Sequence, residues 1–375
     1  MKIAIIAHLK FPISEPFHGG LEMHTHILTE QLIERGHEVT LFALSESGPG
    51  FRVVEPPMNA IDRMGGIDLF EEEPGFGRDF VNKFHAYSST ITDIQNGDFD
   101  IVHNNSLHFL PLALAHTLGC PMVTTLHCPP FASLRSGVIL ARPYLGNHFV
   151  AVSQSIARQW ADDITHCSVV LNGIHVDRWV STPVGTDKTA FWFGRFCPEK
   201  GPDFAIRAAR RAGYRLRMAG SIYDHGYFDR AIAPELGEDV EYIGHLDHAG
   251  VCREAGQAAV GLFTSIWDEP FGLVLPELLA CGTPVVAFDS GAAREIIDAS
   301  CGVIVPKEDV EAMAAAMPVA AALDRAGCRR HAEQQFTIGR MIDEYEVVYH
   351  KLAPAAPQPV RVVGTPHLSS TASVA

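Results

Sequence analysis

The sequence predicts an α/β protein of two halves, each a parallel sheet wrapped by helices. Residues 2–44 read as strand, glycine-containing loop, helix and strand, the opening of a doubly wound sheet. The same order restarts at 190–219. The chain has 375 residues, enough for two domains of ordinary size, and its 47% hydrophobic and 19% charged residues suit large cores.

Taken in order, residues 2–7 form an apolar strand. Gly19 and Gly20 follow in a loop, and a helix from about residue 21 buries Ile27, Leu28 and Leu32 and stops at Gly36. A strand covers 38–44. Residues 45–75 are rich in Gly, Pro and Glu without periodicity, which predicts an irregular excursion with a short hairpin. A helix over 76–95 leads to a strand at 99–103. A helix over 107–118 ends at Gly119, and a strand at 121–127 carries His127 at its C-terminal end. A strand at 149–153 precedes a helix over 154–162 capped by Ser153. Residues 182–189 are a polar, flexible run.

The second half begins with a strand at 190–193, followed by a loop holding Arg195 and Lys200. A helix over 202–212 is bounded by Pro202 and Gly213. Strands at 215–219 and 240–243, a helix over 249–258 and a strand at 260–264 follow. Beyond the stretch 267–288, a helix starts after Gly291 and a short strand occupies 303–305. A helix over 310–323 should kink or break at Pro318. An amphipathic helix spans 336–352, and residues 353–375, rich in Pro, Ser, Thr and Ala, read as a disordered tail.

Charge and composition narrow the function. A formal net charge of −15 disfavours nucleic acid and docking on anionic lipid. No apolar run of about eighteen residues predicts a membrane span, and residues 1–7 enter a strand directly, leaving no room for a signal peptide. The eight cysteines lack any Cys-x-x-Cys pair. They read as small buried hydrophobes of a reducing cytoplasm rather than disulfides or zinc ligands. No His/Asp cluster has metal spacing, so neither a metal nor a cofactor is expected.

The most informative stretch is 267–288. Asp268, Glu269 and Pro270 form a loop, and Phe271 and Gly272 allow a tight turn. Pro276 suits a first helical turn, Gly282 stops the helix, and 285–288 begin a buried strand. The free N–H groups of that helix start attract an anion. Glu269 and Glu277 bracket the point with acceptor-only carboxylates. Phosphate affinity beside two such acceptors suits a sugar nucleotide, with carboxylates taking ribose and sugar hydroxyls. Arg195 and Lys200, at the two ends of a loop, are fixed cations able to stabilise a departing diphosphate without a metal.

The segment from Glu269-Pro-Phe-Gly-Leu273 through Glu277 to Cys281-Gly-Thr-Pro-Val-Val286 resembles the family 4 retaining glycosyltransferases of GT-B architecture. Gly194-Arg-Phe-Cys-Pro-Glu-Lys-Gly201 and the Thr125-Leu-His127 strand end are similar to further motifs of that family. The resemblance implies two Rossmann-like domains facing each other across a cleft. An acceptor domain would span 1–168, with helix 336–352 crossing back onto it, and a nucleotide-sugar domain 169–335. It implies diphosphate contacts from Gly19, Gly20, Arg195 and Lys200, ribose contacts from Glu277, and a position near the nucleobase for Gly244. It also implies backbone contacts from Phe271, Gly272 and Leu273, with Glu269 and His127 beside the transferred sugar as catalytic groups. His103 and His108 would flank the cleft as acceptor contacts.

The implied reaction is transfer, with retention, of a hexosyl group to a hydroxyl of a small-molecule or sugar acceptor. Glucose carried on UDP is the favoured donor. A sugar phosphorylase, an epimerase and a non-catalytic nucleotide-sugar binder are the alternatives, and a homo-oligomer is left open. Departures from the family pattern are Arg294 in Gly291-Ala-Ala-Arg-Glu295, where proline is usual, and Pro276 just before Glu277.

Overall fold

The computed structural model describes residues 1–48, 50–59, 77–180 and 188–353. The expected excursion beyond residue 59, most of the polar run at 182–189, the first residue of the predicted helix 76–95 and all but the first residue of the tail lie outside the described residues.

Two parallel sheets organise the chain. The first runs in the order β3 (Val53–Val54), β2 (Glu38–Phe42), β1 (Lys2–Ile6), β4 (Ile101–Asn104), β5 (Met122–Leu126), β6 (Asn147–Ala151), β7 (Cys167–Val169). The second runs β10 (Val240–Tyr242), β9 (Arg215–Ala219), β8 (Thr189–Phe193), β11 (Val260–Phe263), β12 (Val285–Phe288), β13 (Gly302–Val305). Each sheet reverses its winding beside its first strand, between β1 and β4 and between β8 and β11. A crevice opens at the carboxyl ends of the strands at such a reversal. β1, β4, β11 and β12 are buried along their whole length, as parallel strands covered on both faces must be; Lys2 alone is exposed.

Several expectations are corrected. Val53–Val54 pairs parallel with β2, so no hairpin forms there among the described residues. The helix expected over 107–118 is shorter: it spans Phe109–Leu114 and tightens into a 3-10 turn at Ala115–Thr117, and Leu107 has φ +52°. The helix Val310–Ala321 runs through Pro318 without breaking. Met313, Ala316, Met317 and Ala320 pack it onto the second sheet's core, which holds it together despite one missing N–H. Two α-helices of ten residues or more had no sequence signal. Ala132–Ala141 contains Gly137, which reads as a helix breaker. In the fold a Cβ there would sit 2.8 Å from the Phe109 backbone, so the glycine permits close helix–helix approach. Arg325–Gln335 buries only Cys328 and Ala332, too few for an apolar period.

The last helix, Ile338–Leu352, leaves the second half and joins the first sheet's core, packing with Ile3, Ile5, Leu28 and Leu32. Its Tyr345 and Tyr349 are completely buried. Burial of side chains this size contributes about 2–3 kcal/mol each. The chain passes to it through Ile174, whose N–H donates to Phe336 O at 2.8 Å.

Candidate active site

The second sheet's switch point is tied by polar contacts. After β8 the chain makes a turn at Pro198–Lys200. Thr264, after β11, donates its hydroxyl to Lys200 O at 3.0 Å, and Ile266 N–H donates to Glu199 O at 2.9 Å. Gly201 makes that contact possible: its φ is +60°, and a Cβ there would lie 2.4 Å from Thr264 O. The result brings Lys200 onto Glu269. The ammonium donates to Glu269 Oε1, and Ser265 Oγ donates to the same oxygen at 2.9 Å. Glu269 is 6% exposed. A carboxylate so enclosed is tolerable only with a charged partner and a donor hydroxyl.

The loop carrying Glu269 is braced from behind. Ala292 N–H donates to Glu269 O at 3.1 Å, and a Cβ on Gly291 (φ +55°) would sit 2.1 Å from that oxygen. The departure at Arg294 does not disturb this turn, because Arg294 forms a bidentate pair with Asp289 at 2.7 and 2.6 Å. Ahead of the helix Val274–Ala280, the N–H groups of Phe271, Gly272 and Leu273 donate to no protein acceptor among the described residues.

Glu277 sits in the first turn of the helix Val274–Ala280. It lines a cavity of about 570 Å³ together with Arg178, Trp179 and His248 of the second half and His26 and Glu30 of the first. Its carboxyl has no hydrogen-bond partner among the described side chains. Burial pushes it up to about 8. Arg195 is exposed, its guanidinium 4.9 Å from the Tyr223 ring centre. It forms no ion pair among the described residues, so Arg195 and Lys200 are not joined by a shared partner. Gly244 has φ +86°, and its carbonyl accepts from Gly220 N–H at 3.0 Å.

The first half contributes a wall of different chemistry. His127, after β5, places Nε2 3.0 Å from Asn105 Oδ1. His103 Nε2 lies 3.1 Å from the same oxygen and 2.8 Å from Thr125 Oγ1. Tyr349 OH meets His103 Nδ1 at 2.5 Å. These partners assign the tautomers: Tyr349 donates to His103 Nδ1, and both histidines donate their Nε2–H toward Asn105. His127 Nδ1 is left as an acceptor. His24 stands edge-on to His127 at 4.7 Å. Desolvation lowers all three histidines, His24 to about 4, His103 to about 3 and His127 well below its ordinary range. The wall is polar and uncharged at neutral pH.

One sequence expectation fails here. His103 is 0% exposed and held by its network, so it cannot touch an acceptor. His108 is half-buried, caps a helix by accepting from Leu110 N–H at 3.2 Å through Nδ1, and stacks on Tyr87. Asn105, Ser265 and Tyr349 were not anticipated. Asn105 follows β4 at a strand end and could have been sought there; the other two carried no signal.

The halves touch at defined points. Gly19 and Gly20 begin the helix Gly20–Glu34, and a Cβ on Gly20 would lie 3.4 Å from Leu273 Cδ1. Ser153 Oγ donates to Pro270 O at 2.6 Å. Glu295 accepts from the N–H groups of Gln154 and Ser155, both at 2.6 Å. Strand-end residues of both sheets thus border one cleft.

Known proteins share this architecture. The structure superposes on sucrose-phosphate synthase from Thermosynechococcus elongatus with a TM-score of 0.72, at 19% identity, covering 94% of this chain and 98% of that one. It superposes on Anabaena HepE in complex with UDP and glucose with a TM-score of 0.70, at 17% identity over 93% and 99%. The fold is GT-B, the two-sheet architecture of these glycosyltransferases. The family described as Glycosyltransferase Family 4 matches residues 18–178, and Glycosyl transferases group 1 matches 174–330. The chain belongs to the family 4 glycosyltransferases and is a transferase enzyme. It is 29% identical over 341 residues to phosphatidyl-myo-inositol mannosyltransferase of Mycolicibacterium smegmatis, covering 84% of both. It is 27% identical over 343 residues to a glycogen synthase of Mycobacterium tuberculosis, covering 80% and 81%. Among the described residues no helix is long and apolar enough to cross a membrane.

Proposed function

We propose that the enzyme transfers a hexosyl group, with retention, from a nucleoside diphosphate sugar to a hydroxyl of a small-molecule or sugar acceptor. The division into an acceptor domain at 1–168 and a donor domain at 169–335 is part of this reading. The observation that carries it is the enclosed Lys200–Glu269 pair at the β8/β11 crevice. An arriving diphosphate competes with Glu269 for the ammonium. Lys200 turns to the phosphate together with Arg195, and Glu269 is released to accept hydroxyl hydrogens of the sugar. The free N–H groups of Phe271, Gly272 and Leu273 meet sugar and phosphate oxygens. Glu277 takes the ribose hydroxyls. His127, neutral with a free Nδ1, accepts a hydroxyl hydrogen at the reacting face. Contact of Gly20 with Leu273 supports closure of the two walls around the donor, which excludes water.

Glucose on UDP is the donor that the family resemblance favours. Mannose is the second reading, supported by the mannosyltransferases among the similar proteins. A calorimetric screen of UDP and GDP sugars, followed by NMR of the product's anomeric proton, decides between them. No binding of any nucleoside diphosphate sugar would overturn the proposal, and an inverted product would remove retention.

A further inference from the structure

The fold brings three potential metal ligands together behind the active-site loop. Asp298, Cys301 and His331 place one ligand atom each within 4.8 Å of one another. Asp298 and Cys301 follow the helix Ala293–Ile296, and His331 comes from Arg325–Gln335. In the sequence nothing joins them, because the third ligand sits on a separate helix.

The orientation of His331 distinguishes this cluster from a chance meeting. Its Nε2 lies 2.9 Å from Ile296 O, so that nitrogen carries the proton and donates to the carbonyl. A backbone carbonyl holding the far nitrogen is the usual support of a metal-bound imidazole, since it fixes the tautomer and aims the other lone pair. Here the aimed atom is Nδ1, and it faces Asp298 Oδ2 at 3.5 Å. Two ring and carboxylate lone pairs converge there, an arrangement that a cation between them would satisfy. Asp298 is itself fixed: Ser300 N–H and Oγ donate to its Oδ1 at 2.8 and 2.5 Å, leaving Oδ2 for the cluster. Cys301 is buried, His331 half-buried and Asp298 exposed, so the open side admits an ion and a water.

We propose that Asp298, Cys301 and His331 form a binding site for a divalent cation of the zinc class. One carboxylate, one thiolate and one imidazole make a borderline-soft donor set that suits a four-coordinate zinc, with water as fourth ligand. Binding replaces the thiol proton by the metal and releases one proton per ion. The ion ties the turn after Ala293–Ile296 to Arg325–Gln335. It thereby steadies the segment whose other contacts are Glu269 O, through Ala292, and the first half, through Glu295.

The test is a cobalt titration of the full chain, first freed of metal with a chelator. One cobalt per chain, with a thiolate charge-transfer band, is the expected result. Cys301→Ala should abolish the band, while Cys328→Ala should keep it. His331→Ala and Asp298→Asn should each weaken binding by at least about tenfold. Asp298 is exposed, so its variant tests the site even if a buried substitution fails to fold. Zinc should raise the melting temperature of the native chain and not that of Asp298→Asn. No cobalt bound, a band that survives Cys301→Ala, or unchanged affinity in Asp298→Asn would each overturn the site.

Discussion

At the end of β5 the first half presents His127, backed by Asn105, His103 and Tyr349. At the ends of β8 and β11 the second half presents Lys200 against Glu269, with Arg195 exposed nearby and Glu277 in the adjoining cavity. Both walls grow from the same device, polar residues just beyond parallel strands at a point where the winding reverses. They differ in how burial is tolerated. The first wall keeps its groups neutral, lowering three histidines by desolvation and holding His103 and His127 through hydroxyls and an amide. The second keeps one enclosed charge pair, Lys200 with Glu269. A charged wall suits a phosphorylated donor, and a neutral, hydrogen-bonding wall suits hydroxyls. The asymmetry teaches that one fold can run two recognition tasks by choosing whether a strand end is ionised.

The comparison breaks most sharply at the ion pair. On the proposed reading, in which Glu269 acts where charge changes during reaction, Glu269→Gln should lower turnover on the order of a thousandfold in a steady-state assay. Lys200→Ala should act chiefly on donor affinity, read by calorimetry. If both variants weakened donor binding equally with turnover intact, the pair would be structural. On the opposite wall, His127→Ala should reduce turnover roughly a hundredfold while donor affinity stays constant. A matching loss of donor affinity would place His127 on the wrong side of the cleft.

Glu277 sharpens the contrast through pH. Its carboxyl rises from 4.5 to about 8 in the folded chain. The folded state therefore holds a proton that the unfolded state releases above about 4.5. The stability linked to this group is complete below that value and is lost as pH climbs through about 8. Glu277→Gln should thus raise the melting temperature of the donor-free protein, with a gain that grows from about pH 5 to pH 9. A gain independent of pH would mean that the carboxyl is ionised throughout.

Two smaller effects concern the frame. Glu295→Gln keeps its size but loses the charge that holds the Gln154 and Ser155 N–H groups. It should raise the donor KM several-fold, by roughly 1 kcal/mol of lost charge-assisted bonding. Tyr349→Phe leaves His103 Nδ1 without its donor, costing about 1–2 kcal/mol in denaturant unfolding while turnover changes little.

The pattern of apolar runs and glycine stops was enough to locate every strand except β3 and β7, which are two and three residues long. Their brevity leaves no period to detect. Helices with an apolar stripe were equally legible. Ala132–Ala141 and Arg325–Gln335 were not, the first because Gly137 serves a packing contact and the second because most of its residues are polar. At the site, motif spacing identified Lys200, Glu269, Glu277 and His127 as chemically loaded positions.

Amino-acid order alone determined the α/β class, the strand ends and the residues able to carry charge, since these follow from local periodicity and side-chain chemistry. Tertiary structure decided who meets whom. It paired Lys200 with Glu269, set Glu277 on the wall of a cavity lined by both halves and removed His103 from the cleft into a buried network. It also set His331 opposite Asp298 and Cys301. Contacts between distant segments depend on packing, and packing depends on the volume and burial of the whole chain rather than on any short stretch of it.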